Sequence, residues 1–132
     1  MLDEWMNKLQ KELELKGPLG EPGGSYSILL DDTRIEIGPV QSGFHFTATL
    51  GDLPKESPEL FFIKLLRGNF LGQASYGGFL GLDETGTKIM LRYFHPDKTD
   101  WAEFKGDLED FMNGIDFWKN EVSSHAKEPN KP

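Results

Sequence analysis

The sequence predicts an α+β fold of order α-β-β-β-α-β-β-α, a twisted antiparallel sheet flanked by three helices and completed as a dimer. Three observations carry this. Apolar residues alternate with polar ones in the middle of the chain, as half-buried strands require. Helical spacing marks both ends, most strongly the last: Trp101, Phe104, Leu108, Phe111, Ile115, Trp118 and Val122 advance in steps of three and four. One central segment is apolar almost all round, which asks for cover on more than one side.

The elements follow in order. Leu2, Trp5, Met6, Leu9 and Leu13 form the apolar stripe of a first helix of about four turns, with Asp3, Glu4, Lys8, Lys11 and Glu12 between them. "GPLGEPGG", 17–24, stops it. Three strands come next. "SYSILLDD" ends in an Asp-Asp turn, "TRIEIGPV" alternates Ile35 and Ile37 with Arg34 and Glu36, and "GFHFTATL" alternates Phe44, Phe46, Ala48 and Leu50 with His45, Thr47 and Thr49. This reads as an antiparallel meander with one wet face.

Ser57 and Pro58 suit the N-cap and first turn of a second helix, "SPELFFIKLLRGN". Its Leu60, Phe61, Phe62, Ile63, Leu65 and Leu66 exceed what so small a domain can surround, so a second subunit is the natural cover. Two strands follow, "YGGFLGLD" and "TKIMLRYF". Asp100 with Glu103 three residues on then forms a capping-box pattern for the final helix. Residues 1–122 read as a single domain. The tail "SSHAKEPNKP", 123–132, lacks core residues and is expected to be disordered.

Composition excludes several functions. The 132 residues carry a formal net charge of −8, with no run of Lys or Arg, so a nucleic-acid backbone is a poor ligand. Without cysteine there are no disulfides or thiolate metal sites. The N-terminus is broken by charges every few residues and is expected to be neither a signal peptide nor a spanning segment. His45, His95 and His125 lie on different elements, and no pair has ligand spacing within one, so no metal and no cofactor is expected. There is no Gly-x-Ser-x-Gly elbow, and the carboxylates fall mostly on polar helix faces. No enzymatic activity is expected.

Gly81–Lys98 holds three near-matches to motifs. Asp83-Glu84-Thr85-Gly86-Thr87 differs by one residue from the phosphorylation motif of P-type pumps, but the chain lacks room for the pump's other parts. Gly81 and Gly86 have phosphate-loop spacing, yet Thr87 stands where lysine belongs, and a strand pattern follows. A hairpin loop ending in a left-handed glycine fits better. His95-Pro96-Asp97 matches the J-domain signature. That reading requires a helix over Thr87–Phe94, where Gly and Thr oppose one.

The apolar residues Trp5 and Leu13 on the first helix, and Tyr26, Leu29, Ile35, Ile37, Phe44 and Phe46 on the meander, outnumber what a small core needs. Apolar grooves beside strand edges suit capture of an extended peptide.

The order of elements, size and acidity resemble the class I type III secretion chaperones, the Tir-chaperone family. The most specific stretch is Leu65–Phe94, where Asn69, Gly78, Leu80, Gly81, Asp83, Gly86 and Leu91 stand in the family's positions, followed by the late aromatic pair Phe117-Trp118. The loop "GPLGEPGG" is longer than the family pattern. The resemblance implies a non-enzymatic chaperone of the bacterial cytoplasm that binds the N-terminal segment of a secreted effector or gatekeeper in extended form. It implies a homodimer, or a heterodimer with a related chaperone, joined through Leu60, Phe61, Ile63, Lys64 and the strand around Phe79. Effector grooves would be formed by Trp5, Leu9, Leu29, Ile35, Ile37, Phe44 and Phe46. A regulatory adaptor on the same fold, binding a transcription component, and a J-domain-like co-chaperone are the alternatives.

Overall fold

The computed structural model describes residues 1–56, 58–69 and 78–127. Its elements are α1 (Leu2–Glu12), β1 (Tyr26–Leu30), β2 (Thr33–Val40), β3 (Gly43–Asp52), α2 (Pro58–Asn69), β4 (Phe79–Leu82), β5 (Lys88–His95) and α3 (Trp101–Lys127). The order and type of every element match the expectation. The expected cap Ser57 and the glycine-rich link over 70–77 lie outside the described residues.

The five strands form one antiparallel sheet in the order β1-β2-β3-β5-β4. Alternation sets its two faces. Ile28, Ile35, Ile37, Phe44, Phe46, Ile89 and Leu91 point to one face and are at most 1 % exposed. Across that face lies α3, whose Phe104, Leu108, Phe111, Ile115 and Trp118 are all buried. Each such side chain contributes about 1.5–3 kcal/mol by leaving water. α1 closes one end: the Trp5 ring lies 5.0 Å from Phe104 and meets Phe44 edge-on at 6.3 Å.

Asp100 caps α3 as expected, accepting the Glu103 N–H at 2.9 Å. The Glu103 carboxylate turns instead to His95 Nε2, 2.7 Å away. The turn from β2 to β3 brings Gly43 so close to the His95 carbonyl that a β-carbon there would lie 1.7 Å from its oxygen. Only glycine fits that approach.

Two expectations are corrected and one alternative falls. α1 ends at Glu12, about a turn early, because Glu14 turns left-handed (φ 51°). The helix Thr87–Phe94 that a J-domain needs is absent: Lys88–His95 is β5, paired with β3 on one side and β4 on the other. The tail expected to be disordered from residue 123 continues α3 to Lys127. His125 is buried there, its Nε2 bonded to the Glu56 carbonyl at 3.1 Å and its ring edge-on to Phe61. A histidine at the right helical step acts as a core residue, which an apolar count overlooks.

The hairpin loop settles the motifs of Gly81–Lys98. Gly86 is left-handed (φ 73°). One Asp83 carboxylate oxygen accepts the N–H groups of Thr87 and Lys88, each at 3.1 Å, and the Thr85 hydroxyl at 2.9 Å. Asp83 is thus the anchor of a turn, the ordinary use of Asp in loops.

Candidate functional site

Two features of the surface stand apart from the core. The first is an apolar patch around α2. Phe61 and Leu65, four residues apart, face inward and are 0 % and 6 % exposed. Phe62, Ile63 and Leu66 form a second stripe on the solvent side, 39 %, 44 % and 71 % exposed. The patch has a counterpart on the sheet face opposite α3, where Phe79 and Phe94 stack at 5.6 Å, both exposed. Contiguous exposed apolar surface of this kind marks an interaction site.

The second feature is a pair of sheet edges. Among the described residues β4 pairs only with β5, while β1 pairs with β2 on one side and meets Gly20 through a single bridge at Tyr26 on the other. At the start of β1, Ser27 N–H donates to the Leu19 carbonyl at 2.9 Å, so its main-chain groups point away from β2. Antiparallel pairing repeats every second residue, which turns the N–H and C=O of Leu29 the same way. The Leu29 side chain is 53 % exposed. This edge offers main-chain pairing beside an apolar side chain, the two needs of strand addition.

The structure places the expected groove residues differently. Trp5, Leu9, Ile35, Ile37, Phe44 and Phe46 are 0–6 % exposed and belong to the core. α3 and α1 cover these residues between them, and of the six only Ile35 lines a pocket, the one between the β1–β2 turn and α3. Of the seven, only Leu29 is on the surface. Among the expected dimer residues, Ile63 and Phe79 are exposed, Leu60 and Lys64 are half-buried, and Phe61 is core. Lys64 Nζ approaches Glu121 of α3 at 3.8 Å, a loose tie between the helices. The sequence reading counted Phe62 and Leu66 among the helix residues in need of cover without naming them as contacts, and it missed Phe94. For Phe94 the signal was its parity: it falls in step with Lys88, Met90 and Arg92, the wet face of β5.

A third cluster lies where β5 meets α3. His95, Glu103 and Asp107 bring one ligand atom each to within 4.8 Å of one another. Burial works against a charged His95, yet the Glu103 carboxylate holds its pKa above the usual histidine value. Burial raises the pKa of Asp107, against a hydrogen bond from Tyr93. The Tyr93 phenol, partly buried beside Asp107, is pushed beyond the ordinary tyrosine range.

No helix among the described residues is long and apolar enough to cross a membrane. A protein of Chlamydia pneumoniae is 32 % identical to this chain over 77 residues, 58 % of each protein. The chain therefore spans under two thirds of the length of the curated relative it matches. Among solved structures, the ExsC–ExsE complex matches with a TM-score of 0.74 at 15 % identity, over 92 % of both chains. The HopA1–SchA chaperone–effector complex matches at 0.68 and 16 % identity, over 90 % of this chain and 93 % of that one. The heterodimeric ExoU–SpcU complex from the type III secretion system of Pseudomonas aeruginosa matches at 0.64 and 17 %, over 96 % of both chains. At such identities the likeness is one of fold. The sequence pattern of the Tir chaperone protein (CesT) family matches residues 23–119. With its fold shared across nearly the whole chain, the protein belongs to the Tir chaperone family.

Proposed function

We propose that the chain is a type III secretion chaperone that acts by binding, not catalysis, in the bacterial cytoplasm. It holds the N-terminal segment of a secreted effector or gatekeeper in extended form and keeps it competent for export. Family membership sets the class, and the observation that carries the mechanism is the open edge of β1 with Leu29 beside it. An added strand gains main-chain hydrogen bonds that demand no particular sequence, while side-chain contacts beside the edge supply selectivity. Such holding needs no nucleotide. The neighbours that are chaperone–effector or heterodimeric secretion complexes support this reading.

The chain works as a dimer, with itself or with a related chaperone, through Ile63, Leu66 and Phe62 of α2 and the stacked Phe79 and Phe94. Leu60 and Lys64 flank this contact. Residues 1–127 act as one domain, since His125 packs on Phe61.

The test is capture of the tagged chain from its source bacterium, followed by proteolytic trimming of the complex and mass measurement. The expected result is a protected N-terminal stretch of a secreted protein bound to two chaperone-sized chains. Recovery of a transcription component or an ATP-dependent chaperone, with no protected effector fragment, would overturn the reading.

A further inference from the structure

We infer that His95, Glu103 and Asp107 form a binding site for a divalent transition-metal ion, with zinc the ion best suited to the donors. β5 delivers His95 at its last residue, and α3 presents Glu103 and Asp107 one turn apart on a single face. Their three ligand atoms all lie within 4.8 Å of one another. The reach left to close is small, since a zinc ion sits about 2.0–2.2 Å from nitrogen and carboxylate oxygen.

The surroundings orient each donor. The Asp97 carbonyl lies 3.1 Å from His95 Nδ1 and can accept a hydrogen bond only from its N–H, a tautomer that leaves Nε2 facing the carboxylates as the ligand nitrogen. The imidazole stacks on Phe44, with centroids 5.3 Å apart and planes within 14°, which fixes the ring. The Tyr93 hydroxyl donates to Asp107 Oδ2 at 3.0 Å and holds that carboxylate. A backbone carbonyl behind the histidine and a hydrogen bond to the carboxylate are the outer partners that metal ligands use. Glu103 is largely exposed, which leaves solvent a route for the ion.

One imidazole nitrogen with two carboxylate oxygens suits zinc better than magnesium or calcium, which take oxygen alone. Three protein donors leave a fourth position for water. His95 Nε2 lies 2.7 Å from a Glu103 carboxylate oxygen, a contact that a bound metal would replace. The bound ion would clamp the end of β5, an interior strand, to the first turns of α3. The ligands come from two elements, so spacing within one element could not reveal them.

Zinc chloride titrated calorimetrically into the chelator-treated full chain tests this. The expected result is one site per chain and a raised melting temperature. Glu103→Gln and Asp107→Asn should each weaken the site by at least about tenfold, the loss typical even of an outer partner. His45→Ala should leave it unchanged. Cobalt absorption should show protein coordination in the parent and lose it in His95→Ala. Where His95→Ala fails to fold, the two carboxylate variants carry the test. Absence of a site in the parent, or affinity unchanged in Glu103→Gln and Asp107→Asn, would overturn the proposal and leave adventitious binding to an acidic surface only.

Discussion

On the inner face of the sheet, Phe44 and Phe46 are fully buried, whereas across the same sheet Phe79 and Phe94 leave 42 % and 47 % of their surface in solvent. The strands alternate alike on both sides. What differs is the cover: α3 spans the inner face, and no described helix spans the outer one. An aromatic residue on a strand is therefore a sign of a site only after the covering element is known. The inner face holds the fold together, and the outer face with α2 and the β1 edge is where a partner has something to bind.

Substitutions that separate the faces should differ several-fold in cost. The largest effect is expected at Phe104, which touches Trp5, Phe44 and Phe46 from α3. Phe104→Ala should destabilise the chain by about 3–5 kcal/mol in urea unfolding. Ile35→Asp belongs with it: a carboxylate in a fully covered site should collapse the fold, whereas a groove residue would have lost only binding.

Asp100→Ala comes next, at about 1 kcal/mol, because it removes the oxygen that accepts the Glu103 N–H. The smallest folding effects are expected on the open face. Leu29→Asp should change stability by no more than about 0.5 kcal/mol, as surface substitutions do, and Leu66→Asp should cost only what loss of the dimer contact costs. Sedimentation should show Leu66→Asp driving dimer to monomer. Leu29→Asp should keep the dimer and lose the effector.

A pH series sharpens the junction of β5 and α3. Glu103 raises the pKa of His95 above its usual 6.5, despite burial. A raised histidine binds its proton more tightly folded than unfolded. Its stabilisation is thus complete below the unfolded pKa and is lost as pH rises through the folded one. In metal-free buffer the urea midpoint of the parent should fall from about pH 6 to pH 8. Glu103→Gln should flatten that slope.

Local chemistry made most of the fold legible in the sequence. The seam from Phe104 to Trp118, the Asp100 cap and the left-handed Gly86 each follow from one short stretch. The reading failed where the answer depends on what a distant element covers. Ile35, Phe44 and Phe46 looked like groove residues because the sequence does not show that α3 lies on them. Phe61 and Ile63 stand two apart on α2, yet one is core and the other open, since a helix turns about 200° over two residues. The pairing of His95 with Glu103 and Asp107 likewise needs the turn at Pro96 to fold β5 back toward α3.

The most direct test of the central claim is amide hydrogen exchange on the chain, free and bound to its captured effector fragment. The free Leu29 N–H points to the open edge and should exchange fast, while that of Leu91, inside the sheet, should be slow in both states. Strong protection gained at Leu29 on binding is the expected result. A bound fragment that leaves Leu29 as fast as before would contradict capture by strand addition at β1.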